Sequence, residues 1–269
     1  MKFSEIENDF KIEEVEVATG CPENCNHCGF YKGHGKECLK IRSITRDQIE
    51  ENLEPYEGMF APIVSTTPNI ESAHVDVVAD LAEIVYRMRS ELVMIGHGVR
   101  AGNRPMIRRF ERIISLIREG KISLYVLSMD FARSMGKIDP QFNKESYKQT
   151  LIMLETVLDV ARVTVSLQAS EPEGMSRVDR MYKEILWELG WGWNKVNIDQ
   201  RNGYAAEGRS ADVVDSNDCD IIPDAEFLEG VSRTHLWRGK VDMNGKLWAQ
   251  RNEPGRTYNT SVGEWERVE

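Results

Sequence analysis

Hydrophobic positions along residues 12–199 follow two alternating periods. Short apolar runs, some with a two-residue alternation, predict β-strands, and segments with an apolar residue every three to four positions predict amphipathic helices. The predicted strands are 12–18, 59–64, 92–95, 122–127, 162–167 and 195–199. Five predicted helices separate them.

Local signals place the ends of these helices. Thr45 to Gln48 matches a capping box, and Pro105 and Asn143 are suited to the start of a helix. Glycines end two helices, after apolar faces that run to Ile117 and Leu189. One further helix spans 73–90, and the first helix ends near Pro55.

Six strands separated by five helices predict an α/β fold with a parallel sheet and right-handed crossovers. Because six strands are fewer than the eight of a closed barrel, we expect a partial (β/α)6 TIM-like barrel, with a flat doubly wound sheet as the alternative. This core domain spans 1–204. Residues 205–269 are richer in turn residues and predict a small β-containing cap, in which Asn244-Gly245 forms the two-residue turn of a hairpin.

In both architectures the functional site lies at the carboxyl ends of the strands. The residues that follow the predicted strands are polar or small, and we expect them to converge on one edge of the sheet. They are the stretch 18–31, Ser65 to Asn69, Gly96 to Gly98, Ser128 to Asp130, Gln168 to Glu171 and Asp199 to Asn202.

Two other patterns receive structural interpretations. Glu13, Glu14 and Glu16 are interpreted as a solvated strand face. Trp187, Trp191 and Trp193 lie on and just after one predicted helix, and core packing is the default for such large side chains.

Composition narrows the class of protein. The net charge of −10 over 269 residues argues against a dedicated nucleic-acid binder. No signal-peptide pattern or long apolar run is present, so we expect a cytoplasmic protein that makes no membrane contact. Three of the five cysteines crowd into residues 21–28, which argues against a disulfide framework and for a reducing compartment.

Cys21, Cys25 and Cys28 are therefore candidate ligands of a soft metal centre. A four-iron cluster normally takes one thiolate per iron, so three cysteines leave one iron open to another ligand. The alternative is zinc, with a tetrahedral site completed by Cys38, His27 or His34.

The CxxxCxxC motif, directly after the first strand of a repeating strand–helix domain, resembles the radical S-adenosylmethionine (radical SAM) superfamily. The resemblance implies that the three cysteines bind an oxygen-sensitive [4Fe-4S] cluster and that S-adenosyl-L-methionine chelates the open iron. Reductive cleavage of the cofactor would give a 5′-deoxyadenosyl radical that abstracts hydrogen from a substrate. An external one-electron donor, a flavodoxin or ferredoxin, is implied as a partner.

The same resemblance assigns cofactor contacts by position. Ser65-Thr66-Thr67-Pro68 stands where the family often has Gly-Gly-Glu-Pro, and Ser128-Met129-Asp130 is similar to a Ser-Leu-Asp of the fourth strand. The residues expected to bind the cofactor are His27, Phe30, Ser65, Thr66, Thr67, Ser128, Asp130, Ser166, Gln168 and Asn197.

The segment from Leu236 to Trp248 is similar to the hairpin that opens the SPASM-like extension of peptide-modifying radical enzymes, but it lacks auxiliary-cluster cysteines. A ribosomally synthesised peptide is therefore the expected substrate, undergoing epimerisation, crosslinking or rearrangement. A small molecule such as a sugar or nucleoside is the alternative, and a zinc-stabilised binding module is the non-enzyme alternative. Cys38 and Cys219 are candidate hydrogen-atom donors, or else small buried apolar residues.

Overall fold

The computed structural model describes residues 2–20, 40–65, 73–130, 143–168, 174–200, 237–251 and 265–269. These residues form an α/β fold with a nine-stranded sheet, a separate two-stranded ribbon and five α-helices. The strands are β1 Phe10–Val15, β2 Ala18–Thr19, β3 Arg42–Ser43, β4 Phe60–Ser65, β5 Leu92–Gly96, β6 Leu124–Asp130, β7 Arg162–Gln168, β8 Asn197–Gln200, β9 Trp237–Val241, β10 Leu247–Arg251 and β11 Glu266–Arg267. The helices are α1 Arg46–Leu53, α2 Val75–Arg87, α3 Arg104–Arg118, α4 Lys144–Glu155 and α5 Gly174–Leu189. None of the helices in these ranges is long and apolar enough to cross a membrane.

The predicted caps begin the helices. The Thr45 side chain accepts a hydrogen bond from the Gln48 backbone, and the Gln48 side chain accepts one from the Thr45 backbone at 2.9 Å, so the predicted capping box is confirmed. Asn143 caps α4 in the same way through Ser146. These reciprocal bonds satisfy N–H groups that have no partner within the first turn of a helix.

The strand order of the large sheet is β11-β10-β9-β1-β4-β5-β6-β7-β8. From β1 to β8 the neighbouring strands are parallel and follow one another in chain order, as predicted for a parallel sheet with helical crossovers. A doubly wound sheet reverses its strand order near the middle. Across the described strands β1 to β8 the order does not reverse, and the later strand β9 lies beside β1 on the side opposite β4.

The helices cover one face of this sheet. All five contribute buried side chains to the same hydrophobic cluster, among them Phe110, Tyr147 and Tyr182, which pack with strand residues such as Tyr125. Because side chains alternate along a strand, the remaining strand residues point to the opposite face. Val93, Leu124 and Val126 form a second, smaller apolar cluster there, and no described helical residue joins it. We call this the open face, in the sense that no described helix packs against it.

The interpretation of the glutamate run as a solvated face is wrong. Glu13 is 1% exposed and Glu16 is 8% exposed. The physical reason is that β1 does not form the edge of the sheet, since β9 from the C-terminal region pairs with it in parallel on the side opposite β4. A strand with neighbours on both sides exposes less side-chain surface than an edge strand does.

The predicted C-terminal hairpin is confirmed, but its turn is longer than two residues. The last ladder pair joins Val241 to Leu247. Oδ1 of Asp242 accepts hydrogen bonds from the backbone N–H groups of Asn244 and Lys246, at 2.8 and 3.0 Å. An aspartate that binds its own turn in this way holds a wider connection than the Asn-Gly pair alone predicts.

Core packing of the three tryptophans is wrong for two of them. Trp187 is 85% exposed, because α5 buries Val178, Tyr182 and Ile185 on its other side. Trp193 is also exposed, and the Lys183 ammonium lies 5.4 Å from the centre of its ring. Trp191 packs against the core as a partly buried residue.

Candidate functional site

The carboxyl ends of the parallel strands meet at one edge of the sheet. Val15 at the end of β1 pairs with Ser65 at the end of β4, and Asp130 at the end of β6 pairs with Gln168 at the end of β7. The end of β8 extends alongside β7. The parallel sheet thus brings together the strand ends that the sequence marks as polar, and we call this border the carboxyl edge.

Two of the predicted cofactor contacts are neighbours on the open face. Ser128 and Ser166 are paired residues of β6 and β7, and each is buried. Ser128 lies two residues beyond Val126, so both have the same orientation, toward the open face. Asp130 and Gln168 follow them in the same register at the carboxyl edge. Ser128 and Ser166 therefore form one row of the sheet, and the backbone pair of Asp130 and Gln168 lies nearer the carboxyl edge.

Ser65 and Asn197 take different positions. Ser65 is buried at the end of β4, two residues beyond Ile63, so it lies on the helix-covered side with Ile63 and not on the open face. Asn197 pairs with Thr164, one row further from the carboxyl edge than Ser166, and it is exposed. Neither residue lies beside the paired serines.

The other predicted site residues lie outside the described residues and stay predictions. They are Cys21, Cys25, Cys28, His27, Phe30, Thr66, Thr67, Cys38 and Cys219. Within the described ranges, no group of three or more His, Cys, Asp or Glu side chains is placed to hold a metal ion.

The residues that flank the cysteine segment (residues 21–39) are described, and they meet. Strands β2 and β3 pair in antiparallel fashion, Ala18 with Ser43 and Thr19 with Arg42. The backbone N–H of Ile44 donates to the Val17 carbonyl at 3.1 Å and extends this pairing. The cysteine segment therefore begins and ends at one short stem, which follows directly after β1.

Gly20 makes this close approach possible. Its φ is +92°, a conformation that side chains disfavour. A Cβ at this position would lie 2.2 Å from the Lys40 carbonyl oxygen, which is a backbone atom that no side-chain rotation can move. Only glycine fits between the two ends of the cysteine segment.

His74 attaches the stem to the rest of the fold. Its side chain is just before α2, is 2% exposed and places Nε2 2.8 Å from the Gly20 carbonyl oxygen. Because a carbonyl only accepts, Nε2 must carry the hydrogen. Burial lowers the pKa of His74, and the hydrogen bond to Gly20 opposes this shift in part, so the ring is neutral at neutral pH.

Sequence reasoning missed His74. The sequence offered one signal for it, which is its position between β4 and the amphipathic helix α2. A residue in such a connection lies near the carboxyl edge. A lone histidine at such a position does not by itself indicate a contact.

A charged cluster on the C-terminal hairpin was also missed. Arg238 of β9 is buried, and its Nη1 lies 3.6 Å from a carboxylate oxygen of Glu14 on β1. Its Nε donates to the Gln250 side chain at 2.8 Å, and Trp265 lies across the guanidinium at 5.1 Å. The cluster joins β9 and β10 to β1, the strand that leads into the stem. The sequence did not predict this charged cluster, because it did not predict that β9 pairs with β1.

No protein-family model matches the sequence, and no curated protein matches it.

Proposed function

We propose that the protein is a radical SAM enzyme in which Cys21, Cys25 and Cys28 hold a [4Fe-4S] cluster. The observation that carries the proposal is the stem: the segment that bears the CxxxCxxC motif begins and ends at one point, directly after the first strand of a parallel sheet. The carboxyl edge, where the other polar strand ends lie, is where α/β folds bind ligands.

The donors fit the cluster chemically. Three thiolates are soft ligands suited to iron–sulfur centres, and three of them leave one iron open. Closing a chain segment costs conformational entropy, and the stem meets part of that cost before any metal binds. Because the cysteines are also close together in the sequence, bringing their thiolates together costs little additional conformational entropy.

When bound, the cluster and S-adenosylmethionine supply one-electron cleavage of a carbon–sulfur bond and hydrogen-atom abstraction from the substrate. The chain's own part is to hold the cofactor, keep water out and orient the substrate. Ser128 and Ser166 suit this part, since their buried, paired hydroxyls lie on the open face and can donate to or accept from a polar ligand.

We also propose that the sheet curves as a partial (β/α)6 barrel with its open face inward. Strands in chain order with all helices on one side are the arrangement of barrels, and a polar inner face near the carboxyl edge suits a ligand. In this proposal residues 1–204 form the core and 205–269 a degenerate SPASM-like cap, whose hairpin extends the sheet beyond β1.

A ribosomally synthesised peptide is the proposed substrate, with a small molecule such as a sugar or nucleoside as the second candidate. A flavodoxin or ferredoxin would supply the electron, in the cytoplasm. The peptide is favoured by the similarity of the segment from Leu236 to Trp248 to the hairpin of peptide-modifying enzymes, since β9 and β10 form a hairpin within this segment.

The test is anaerobic reconstitution with iron and sulfide. Wild-type protein should turn brown, contain about four irons per chain as a [4Fe-4S] cluster requires, and release 5′-deoxyadenosine from S-adenosylmethionine once reduced. Cys25→Ala should lose both properties, whereas Cys219→Ala, outside the motif, should keep the cluster. Colourless wild-type protein with one tightly bound zinc would instead identify the zinc-stabilised binding module.

The hydrogen-donor candidates need a separate test. Cys38→Ala and Cys219→Ala should be assayed one at a time in heavy water with a peptide substrate. Loss of deuterium incorporation in one variant identifies the thiol that donates hydrogen. Normal product and normal deuterium content in both variants would remove this role from both cysteines.

A further inference from the structure

We propose that His74 is a positioning residue for the metal centre, because it fixes the peptide group that immediately precedes Cys21. The inference rests on the proposed function for its metal, but its geometry lies within the described residues. His74 neither binds iron nor touches substrate in this role. It acts through the Gly20 carbonyl.

The hydrogen bond joins two separate parts of the carboxyl edge. Gly20 belongs to the stem after β1, and His74 belongs to the start of α2, which follows the connection after β4. The bond therefore holds the residue before the cysteine motif against the start of α2.

The stem needs this third attachment. Two residue pairs form its ladder, and an isolated two-stranded ribbon is at best marginally stable in water. Gly20 lies close to the Lys40 backbone. The His74 side chain donates a hydrogen bond to the Gly20 carbonyl in a place closed to water. A buried carbonyl that loses its donor is costly, so the stem would open to regain solvent.

A positioning role predicts a specific defect. Without the donor, the Gly20 peptide is free to rotate, and Cys21 is the first ligand displaced. Cys25 and Cys28 lie further along the chain and are affected less. The fold as a whole should remain, because the hydrophobic cluster that joins the helices to the sheet does not include His74.

A matched pair of variants isolates the hydrogen bond. His74→Gln keeps an N–H donor at about the same reach, and His74→Met has a similar length and no donor. Ser123→Ala is the control, because it removes another side-chain donor to a backbone carbonyl, that of Leu92, at the opposite end of the sheet. If His74→Met fails to fold, His74→Asn, whose donor is too short to reach Gly20, takes its place.

The first readout uses metal-free, reduced protein and needs no enzyme activity. Site-resolved alkylation of Cys21 by iodoacetamide should be roughly tenfold faster in His74→Met, the change expected for one buried hydrogen bond, and near the wild-type rate in His74→Gln and Ser123→Ala. Equal rates in His74→Met and His74→Gln, whether raised or unchanged, would overturn the proposal.

The second readout is the electron paramagnetic resonance signal of the reduced cluster, with the shift caused by S-adenosylmethionine. His74→Met should alter this signal or lose iron, and His74→Gln should restore it, which a purely structural side chain would not do. If wild-type protein takes up no iron, the proposed function fails, while the alkylation experiment still decides whether His74 positions Cys21. A wild-type signal in His74→Met refutes the positioning role alone.

Discussion

Replacing Gly20 with alanine should open the stem that closes the cysteine segment. The substitution adds one methyl group at a backbone φ of +92° and directs it at the Lys40 carbonyl oxygen, 2.2 Å away. Two costs arise from this single carbon, one from the backbone conformation and one from the collision.

The magnitudes can be separated. A positive φ costs a residue with a Cβ about 1–2 kcal/mol, and inserting a methyl group into a packed site costs about 1–3 kcal/mol more. The second cost is not avoided by a side-chain movement, because the atom in contact is backbone. Gly20→Ala should therefore lower the free energy of unfolding by about 2–5 kcal/mol. If the free energy that keeps the stem closed is smaller than this, the stem should open and the loss should equal that smaller value.

Gly58→Ala is the matched control. Gly58 has a φ of +83°, and a Cβ there would meet nothing within 4 Å, so it carries the conformational cost without the collision. Urea denaturation of both variants gives the free energy of unfolding, and limited proteolysis within residues 21–39 reports opening of the stem. Gly20→Ala should be the less stable variant and the one cleaved faster. Equal stability and equal cleavage in the two variants would refute the close approach of Gly20 and Lys40.

Three further predictions concern buried polar groups. Arg238→Met should lower the free energy of unfolding by about 1–3 kcal/mol, because it removes a buried cation that lies 3.6 Å from the partly buried Glu14 carboxylate. Glu14→Gln in the same chain should recover part of that loss in urea denaturation, and additive losses would contradict the coupling. The pKa of His74 is lowered from 6.5, so the stability that its neutral form contributes is present above pH 6.5 and is lost as the pH falls below it. The relevant pH range runs from 7.5 to 5.5, on the order of one unit either side of that value. Over this range the free energy of unfolding should fall more for wild-type protein than for His74→Gln, and parallel pH profiles would exclude the effect. Tyr182→Phe should be neutral or stabilising by up to about 1 kcal/mol, since the buried hydroxyl has no hydrogen-bond partner among the described residues and burial raises its pKa to about 12; a clear loss of thermal stability would show that this hydroxyl has a partner.

Local signals predicted the core elements well because their causes are local. The capping box at Thr45, the cap at Asn143 and the glycine after α5, with a φ of +68°, each act within one helical turn. Apolar periodicity then located the helices and strands between them, and parallel strand ends necessarily meet at one edge. The pairing of Ser128 with Ser166 follows from the same reasoning.

Features that depend on distant pairing were not predictable. Nothing in the local pattern of β1 indicates that β9 lies beside it, so Glu13 and Glu16 were assigned to solvent. The orientation of Ser65 was also unpredictable, because it depends on the register between β1 and β4. That register shifts between the pair Ile12–Phe60 and the pair Glu14–Val64. A slip in register changes which face a residue occupies, and alternation alone does not reveal it.

The place of β1 between β4 and β9 has a consequence for the order of folding. During synthesis β1 obtains its first neighbour when β4 emerges, but its second only after residues 237–241 have left the ribosome. Until then β1 is an exposed edge of the sheet, and Glu13 and Glu16, which are buried in the complete fold, have greater access to water. The pairing of β1 with β9 also closes a very long loop, which makes it a late step of folding. A chain truncated before Trp237 should therefore keep β1 as an unpaired edge of the sheet, next to the start of the cysteine segment.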